Sequence, residues 1–333
     1  MQKKEVETFS FNLNRLSWSY LSENYPNFGT SMATFLIMLG FVIIFGSLAP
    51  AFFTIVTFFN ILIRTSIYII LSVGMTLVLT SSGIDISIGS QIGLIGVSLG
   101  WAMRANYPVW LSLLLAILVG AICGSFNGFL VSKVQVPPIV TTLGTMTLYR
   151  GITYLLAAKE LFTGFPATFR WFGQGDLWGL PVPAIISAIV AVGGYLFLYS
   201  TKWGQHITAV GGNEESARLT GIKTAHIKFM VYLIMGILTA LATIVLLSRT
   251  GAGQAAIGEG MELITLTAVV LGGTALFGGK GLILGSVMGS LILSMLGTGL
   301  LLSRVHYFWQ LVATGALFII VVTVRSIQEK GEV

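Results

Sequence analysis

A polar break between two apolar runs is the first candidate for chemistry. The residues from Ser82 to Ser90 include one carboxylate, three serines and two glycines. In lipid, backbone groups freed by such a break are costly unless they line a cavity or are buried in protein. A half-helix that begins near Ser87 would point its N-terminal amides at a cavity and suit hydroxylated or anionic ligands. The predicted translocation-path residues are Gly83, Asp85, Ser87, Gly89 and Ser90.

The same break has a second interpretation. Asp85 would cap the following helix, and the glycines would permit close helix packing. The residues alone leave both interpretations open.

A charged segment near the middle of the chain, residues 201–226, is the second candidate. Glu214, Glu215 and Arg218 are closely spaced and Lys223 follows them, whereas the flanking runs carry almost no charge. Charges this dense must lie in water rather than in lipid. The segment therefore looks like a docking element for a soluble partner. The alternative is a solvated charged loop.

Other patterns give no support for an enzyme. The run from Gly272 to Gly281 looks like a phosphate-binding loop, but that motif would need Gly at 274 and Ser or Thr at 281. The chain has Thr274 and Gly281 there, so a tight turn is predicted instead. The three histidines have no Cys or acidic neighbours at ligand spacing, and no metal site is expected. No Ser-His-Asp or paired-carboxylate arrangement emerges.

The elements that must position these residues follow from composition. Of 333 residues, 55% are apolar, 9% are charged and 40 are glycine, and the mean hydropathy is +0.90. These values exclude an ordinary soluble domain. The apolar runs have helix length, so the sequence predicts an all-α, polytopic membrane protein. The net charge of +6 fits Lys and Arg beside anionic headgroups, and no nucleic acid is expected.

Runs of about 17 to 25 apolar residues predict the spans. Most of the 18 Lys and Arg residues fall on one side, which favours cytoplasmic N- and C-termini and a cytoplasmic charged segment. The organisation predicted is a cytoplasmic segment 1–31, a single transmembrane domain 32–326 and a cytoplasmic tail 327–333. The ten predicted spans lie near 32–49, 66–81, 88–103, 109–131, 138–157, 183–200, 227–248, 263–277, 282–302 and 307–324.

Three features outside these spans carry further expectations. Residues 52–65 are predicted to form a short interfacial helix. The external loop 158–181 is rich in Phe and Trp, which is typical of an aromatic belt and also of a surface for an outside partner. Arg150 is expected to reach the interface or to pair with a loop acid such as Glu160.

A possible internal repeat links the break to a later part of the chain. Internal repeats that meet at a central pathway are common in transporters. In a chain with 40 glycines, coincidence is the alternative. The residues Gly279, Gly285, Ser286 and Gly289 match Gly83, Gly89, Ser90 and Gly93.

Three motifs, at 74–90, 209–221 and 262–281, stand in an order and at separations that resemble the ribose-type sugar ABC importer permeases. The resemblance runs from about residue 35 to 326. It implies a homodimer or a dimer with a similar permease, cytosolic ATPase subunits, and an extracytoplasmic sugar-binding protein. ATP and Mg²⁺ would be used by the ATPase, and this chain would bind no cofactor.

The resemblance also places the docking residues. Glu215, Ser216 and Ala217 stand at the Glu-Ala-Ala positions of the importer coupling motif, and Gly221 stands at its glycine. Ser216 departs from the usual Ala, a small change that should leave the helix intact. The residues implied to dock the ATPase are Gly212, Asn213, Glu214, Glu215, Ser216, Ala217, Arg218 and Gly221.

The sequence is thus interpreted as the permease subunit of an ATP-driven importer for a monosaccharide or related small polyol, in the bacterial inner membrane. An ion-coupled secondary transporter is the first alternative, and it would need membrane-embedded titratable groups. Asp85 is the clear candidate for that role, with Glu259 and Glu262 near the outer interface. A lipid-modifying membrane enzyme is the second alternative and lacks a catalytic cluster.

Overall fold

The protein folds almost entirely into helices, as predicted. A computed structural model describes residues 28–158 and 160–331, so residues 1–27 of the predicted N-terminal segment lie outside the described residues. The first helices are α1 (Phe28–Leu48), α2 (Ile55–Thr80), α3 (Ile88–Arg104), α4 (Val109–Ser132), α5 (Pro138–Ala157), α6 (Ala167–Gln174) and α7 (Val182–Ser200). They are followed by α8 (Lys202–Gly212), α9 (Glu214–Leu219), α10 (Thr224–Thr250), α11 (Met261–Leu271), α12 (Ile283–Leu302) and α13 (Tyr307–Gly331).

Four short strands lie in the loops that follow α5, α6 and α10. Strand β1 (Phe162–Thr163) pairs antiparallel with β4 (Ala252–Gly253). Strand β2 (Asp176–Leu177) pairs antiparallel with β3 (Leu180–Pro181). The loop that follows α5 is therefore tied to the loop that follows α10.

Each predicted span overlaps a helix, but not every helix is long and apolar enough to cross a bilayer by itself. Within the described residues, five meet that criterion of length and composition: α2, α4, α7, α10 and α12. The count of ten spans and the orientation of the termini stay predictions.

Two predicted boundaries are wrong. Residues 52–65 do not form a separate interfacial helix, because a 3-10 turn at Pro50–Phe53 absorbs the break and α2 then runs unbroken from Ile55. The Thr54 hydroxyl starts that helix by accepting from the amide of Thr57 at 3.3 Å. The span at 263–277 is also too long, since α11 ends at Leu271. The backbone turns at Gly273, whose φ of +95° is incompatible with a continuing helix.

Helices α4 and α10 make a close backbone contact. Gly120, Gly124 and Gly128 recur at four-residue spacing on α4 and lie against the backbone of α10. Gly236 on α10 faces the first two of them. Because lipid supplies no hydrophobic driving force between helices, such small residues allow the backbone proximity on which packing depends.

Buried hydroxyl groups join α2 to α12. The Oγ atoms of Ser290 and Ser72 lie 2.9 Å apart, and Thr76 Oγ1 lies 2.7 Å from Ser286 Oγ. Hydrogen bonds of this kind between membrane helices are worth about 0.6 kcal/mol each. They set the register of the two helices.

Both copies of the possible repeat lie where one helix breaks and the next begins. The first copy lies between α2 and α3, and the second lies between α11 and α12. Gly285 contacts the backbone of Gly272, and Gly289 contacts the carbonyl of Ala268. The repeat itself stays a prediction.

We predict that Gly236→Ala lowers the melting temperature of the purified protein. The added Cβ would lie 2.9 Å from Cα of Gly124, and overpacking of this kind costs about 1–3 kcal/mol. Gly193→Ala on α7 is the matched control, because nothing lies within 4 Å of that position. Thermal unfolding in detergent checks the pair, and equal melting temperatures would contradict the packing role of Gly236.

Candidate functional site

The charged segment contains a short helix with a defined start. Helix α8 ends at Gly212, and Asn213 adopts an extended backbone with φ of −157°. The Asn213 side-chain oxygen accepts a hydrogen bond from the amide of Ser216 at 2.8 Å. Asn213 is therefore the N-cap of α9. Glu214 and Glu215 lie in the first turn, where negative charge is favourable.

The end of this helix depends on a glycine. The amide of Gly221 donates to the carbonyl of Arg218 at 3.0 Å, and the amide of Ile222 donates to that of Ala217 at 3.1 Å. This pair of bonds is the Schellman arrangement, which needs a left-handed residue after the helix. Gly221 has φ of +87° and meets that need without the strain a side chain would add.

One side of α9 is anchored and the other is exposed. Ala217 is buried against the main core. The Glu214 carboxylate forms an ion pair with Lys228 Nζ of α10 at 2.5 Å. Arg218 pairs with Glu215 at 2.7 Å, and this hydrogen bond raises the pKa of the Arg218 guanidinium, which stays charged. The side chain of Leu219 is 79% exposed. The helix thus presents a charged rim around one projecting leucine.

Leu219 was missed as a candidate from sequence. The available signal was a single large apolar residue inside an otherwise polar helix. Its exposure depends on which face of α9 is anchored, and only the fold decides that.

The charged segment is tied to the polar break. Ser82, the first residue of that break, donates its hydroxyl to the carbonyls of Gly211 and Phe277, both at 2.8 Å. The amide of Gly279 donates to the carbonyl of Thr80 at 3.0 Å. The end of α8, the end of α2 and the glycine turn after α11 therefore meet at one point. Gly278 and Gly279 have positive φ, as a tight turn requires.

The polar break itself is enclosed by protein. Asp85 has no exposed surface, and its Oδ1 atom accepts from both the amide and the hydroxyl of Ser87, at 2.9 and 2.6 Å. Its Oδ2 atom accepts from Gln91 at 3.2 Å and from Asn127 at 3.5 Å. Four neutral donors thus surround this carboxylate.

The hydrogen bonds continue through three helices. The amide groups of Gln91 on α3 and Asn127 on α4 each donate to Ser87 Oγ at 2.8 Å. The hydroxyl of Tyr149 on α5 lies 3.2 Å from Asn127 Oδ1. We call these residues, with Asp85, the Asp85 network. Gln91 Oε1 has no partner among the described residues.

All five predicted path residues are buried. Gly83 lies against Val78 and the Tyr232 hydroxyl, and Gly89 lies against Gly258 and the Glu262 carboxylate. Ser87 precedes α3 as its N-cap without a side-chain cap bond. The start of α3 is thus covered by protein in this conformation.

Arg150 lies beside a loop acid, as predicted, but the acid is Glu259 and not Glu160. Its guanidinium donates to the carbonyls of Ala255 at 2.5 Å and Gly89 at 3.0 Å, and it lies 3.9 Å from the Glu259 carboxylate. Glu160 pairs instead with Arg104. The prediction of a loop acid is therefore confirmed with Glu259 in place of Glu160, because the loop after α10 folds inward over α3.

Within the described part of the chain, no group of three or more His, Cys, Asp or Glu side chains could hold a metal ion.

Glu262 turns back on its own helix start, where Oε1 accepts from the amide of Gly260 at 3.2 Å.

Comparison with known proteins identifies relatives along most of the chain. A family model described as "Branched-chain amino acid transport system / permease component" matches residues 57–322. The ribose import permease protein RbsC of Escherichia coli strain K12 is 39% identical over 293 residues, which cover 87% of this chain and 91% of the relative. No solved structure matches the chain.

Two further relatives are named for other imported molecules. The autoinducer 2 import system permease protein LsrD of Klebsiella pneumoniae is 34% identical, with 87% of this chain and 90% of the relative covered. The D-allose transport system permease protein AlsC of Escherichia coli strain K12 is 33% identical, with 92% and 95% covered.

We predict that Ser87→Ala destabilises the protein by about 1–3 kcal/mol. It removes the shared hydroxyl and leaves buried polar groups of Asp85, Gln91 and Asn127 each short of one bond. Ser98→Ala is the control, because among the described residues the Ser98 hydroxyl bonds only to the Leu94 carbonyl of its own helix, at 2.8 Å. Chemical or thermal unfolding measures both, and the idea fails if the two variants lose equal stability.

Proposed function

Because the chain belongs to the permease family of branched-chain amino acid transport systems and their relatives, it is the permease subunit of an ABC importer, and we propose that it carries a monosaccharide or related small polyol. Among the relatives described, the names specify ribose, D-allose or autoinducer 2 as the imported molecule. The chain is a multi-pass protein of the bacterial inner membrane and not an enzyme. ATP hydrolysis belongs to a partner subunit.

The capped helix α9 carries the proposal for energy coupling. It is short and anchored through Ala217, and it exposes Glu215, Arg218 and Leu219 at one end of the molecule. A projecting leucine with a charged rim suits an apolar groove bordered by charged groups. We assign to this helix the role of entering a groove on a cytosolic ATPase.

A mechanical link supports alternating access. Ser82 bonds both to the end of α8 and to the glycine turn after α11, so a movement of α9 would reach the start of the polar break directly. The break leads into α3 through the Asp85 network. We propose that ATPase closure moves the charged segment and that α3 is thereby reoriented beside the path.

The remaining partners belong to the same proposal. Two permease chains, the same or similar, would enclose the path, and an extracytoplasmic binding protein would deliver the sugar. ATP and Mg²⁺ would bind the ATPase and not this chain. The termini and the charged segment would lie in the cytoplasm, as the distribution of Lys and Arg favours.

We predict that Leu219→Asp weakens ATPase binding by roughly tenfold, the loss expected for a central interface residue, and that Glu215→Lys, a charge reversal in the rim, weakens it less. Both side chains are exposed, so the melting temperature of the permease alone should not change. Asp176→Lys in the β2–β3 hairpin is the control, since it reverses an exposed charge away from α9. Co-purification of the ATPase and sugar uptake are measured together. Normal assembly and uptake in both α9 variants would exclude this docking surface.

We predict that Asp85→Ala reduces uptake while the ATPase still co-purifies. Without the carboxylate, the amide groups of Gln91 and Asn127 lose an acceptor and the start of α3 is no longer held. Uptake of labelled sugar into proteoliposomes that contain the whole importer is the measurement. A variant that transports at the wild-type rate would remove Asp85 from the proposed path.

A further inference from the structure

A cleft opens beside α9 and shares Arg218 with the exposed face of that helix. It has a volume of about 880 Å³ and lies between the end of α4, α8, the end of α9 and the start of α10. Its lining residues are Lys133, Trp203, His206, Arg218, Thr220, Gly221, Ile222, Lys223, Thr224, Ala225, His226 and Ile227. We call it the basic cleft.

The lining of the basic cleft carries positive charge and no carboxylate. Lys133 and Lys223 are exposed to it, and within residues 28–158 and 160–331 neither has an ion-pair partner. Arg218 adds a third cation, although Glu215 already pairs with it. His206 and His226 add imidazole donors. A concave surface lined by one sign of charge concentrates ions of the opposite sign.

The start of α10 adds to this preference. The helix begins at Thr224, and its N-cap residue Lys223 makes no side-chain cap bond. The amides of Thr224 and His226 already donate to the carbonyls of Ile222 and Lys223, at 2.9 and 3.0 Å, so the aligned dipoles of the helix supply the preference for an anion. Ala225, in this first turn, lines the basic cleft.

The position of the cleft distinguishes a lipid headgroup from a free ion. Helices α4 and α10, whose ends border it, are both long and apolar enough to cross a bilayer. Trp203 lies in one wall, with its ring centroid 6.0 Å from that of His226, and Ile222 and Ile227 add apolar surface. Tryptophan and basic residues at the ends of membrane helices mark the headgroup level.

We propose that the basic cleft binds the phosphate of an anionic phospholipid headgroup. Lys133 and Lys223 hold the phosphate from two sides, and the start of α10 faces it. Because Arg218, Thr220 and Gly221 line the same cleft, a bound headgroup also braces the end of α9 against α4 and α10. The site needs no ATPase, so it does not rest on the proposed docking.

The test uses the full-length permease alone, purified in detergent and supplied with phosphatidylglycerol or phosphatidylcholine. Native mass spectrometry counts the lipids retained, and thermal unfolding measures the stabilisation that a bound ligand gives. Wild type should retain phosphatidylglycerol in preference to phosphatidylcholine. The double variant Lys133→Gln/Lys223→Gln should lose that preference by roughly thirtyfold, since each of the two lysines near anionic lipid is worth about 1 kcal/mol.

Two controls separate a built site from general charge attraction. Lys202→Gln/Lys280→Gln removes the same charge from residues that do not line the basic cleft and should bind as wild type does. Lys133→Arg/Lys223→Arg keeps the charge and should retain the lipid. Its melting temperature, compared with that of the glutamine variant, separates a loss of charge from a folding defect.

Three outcomes would overturn the proposal. Equal loss in the Lys202/Lys280 control would show charge attraction without a site. Equal retention of phosphatidylcholine by the wild type would show no headgroup selectivity. Stabilisation by inorganic phosphate as strong as that by phosphatidylglycerol would identify a free phosphate as the ligand.

Discussion

The need to satisfy every backbone polar group without water governs the arrangement of this protein. The helix breaks after α2 and after α11 each free amides and carbonyls that lipid cannot hydrogen-bond. The structure resolves this by joining the breaks, since Thr80 accepts from Gly279 and Ser82 donates to Phe277. The end of α8 completes the junction through Gly211. The two breaks and the charged segment are thereby coupled, and a movement in one must alter hydrogen bonds in the others.

The Asp85 network extends this constraint into the helix bundle. A buried carboxylate is tolerated only when its lone pairs are satisfied, and here the donors come from the break, α3 and α4. The network therefore joins elements that would otherwise be held only by packing. The network also attaches α3 through hydrogen bonds, which can break and form again, and this suits an element proposed to move. Close glycine contacts between α4 and α10 supply the rigid frame beside it.

The two surfaces at the charged end have different chemistry. The exposed face of α9 combines one leucine with a charged rim, whereas the basic cleft behind it is cationic and bordered by membrane helices. Arg218 and Gly221 contribute both to α9 and to the lining of the basic cleft. A protein partner on one side and a lipid headgroup on the other would hold the same short helix. The position of α9 would then depend on the membrane as well as on the ATPase.

The sequence by itself determined the class, the helical composition and the short capped helix, because hydropathy, Asn213 and Gly221 act locally. It also identified the polar break at Asp85 as the unusual feature of an apolar chain. Tertiary structure decided what that break contacts: Asn127 and Tyr149 lie far from it in sequence and approach it only when α4 and α5 pack. Arg150 pairs with the loop after α10 for the same reason, and the basic cleft exists only where four elements meet. Caps and spans follow from neighbours along the chain, whereas partners of a buried polar group are set by which helices are adjacent in space.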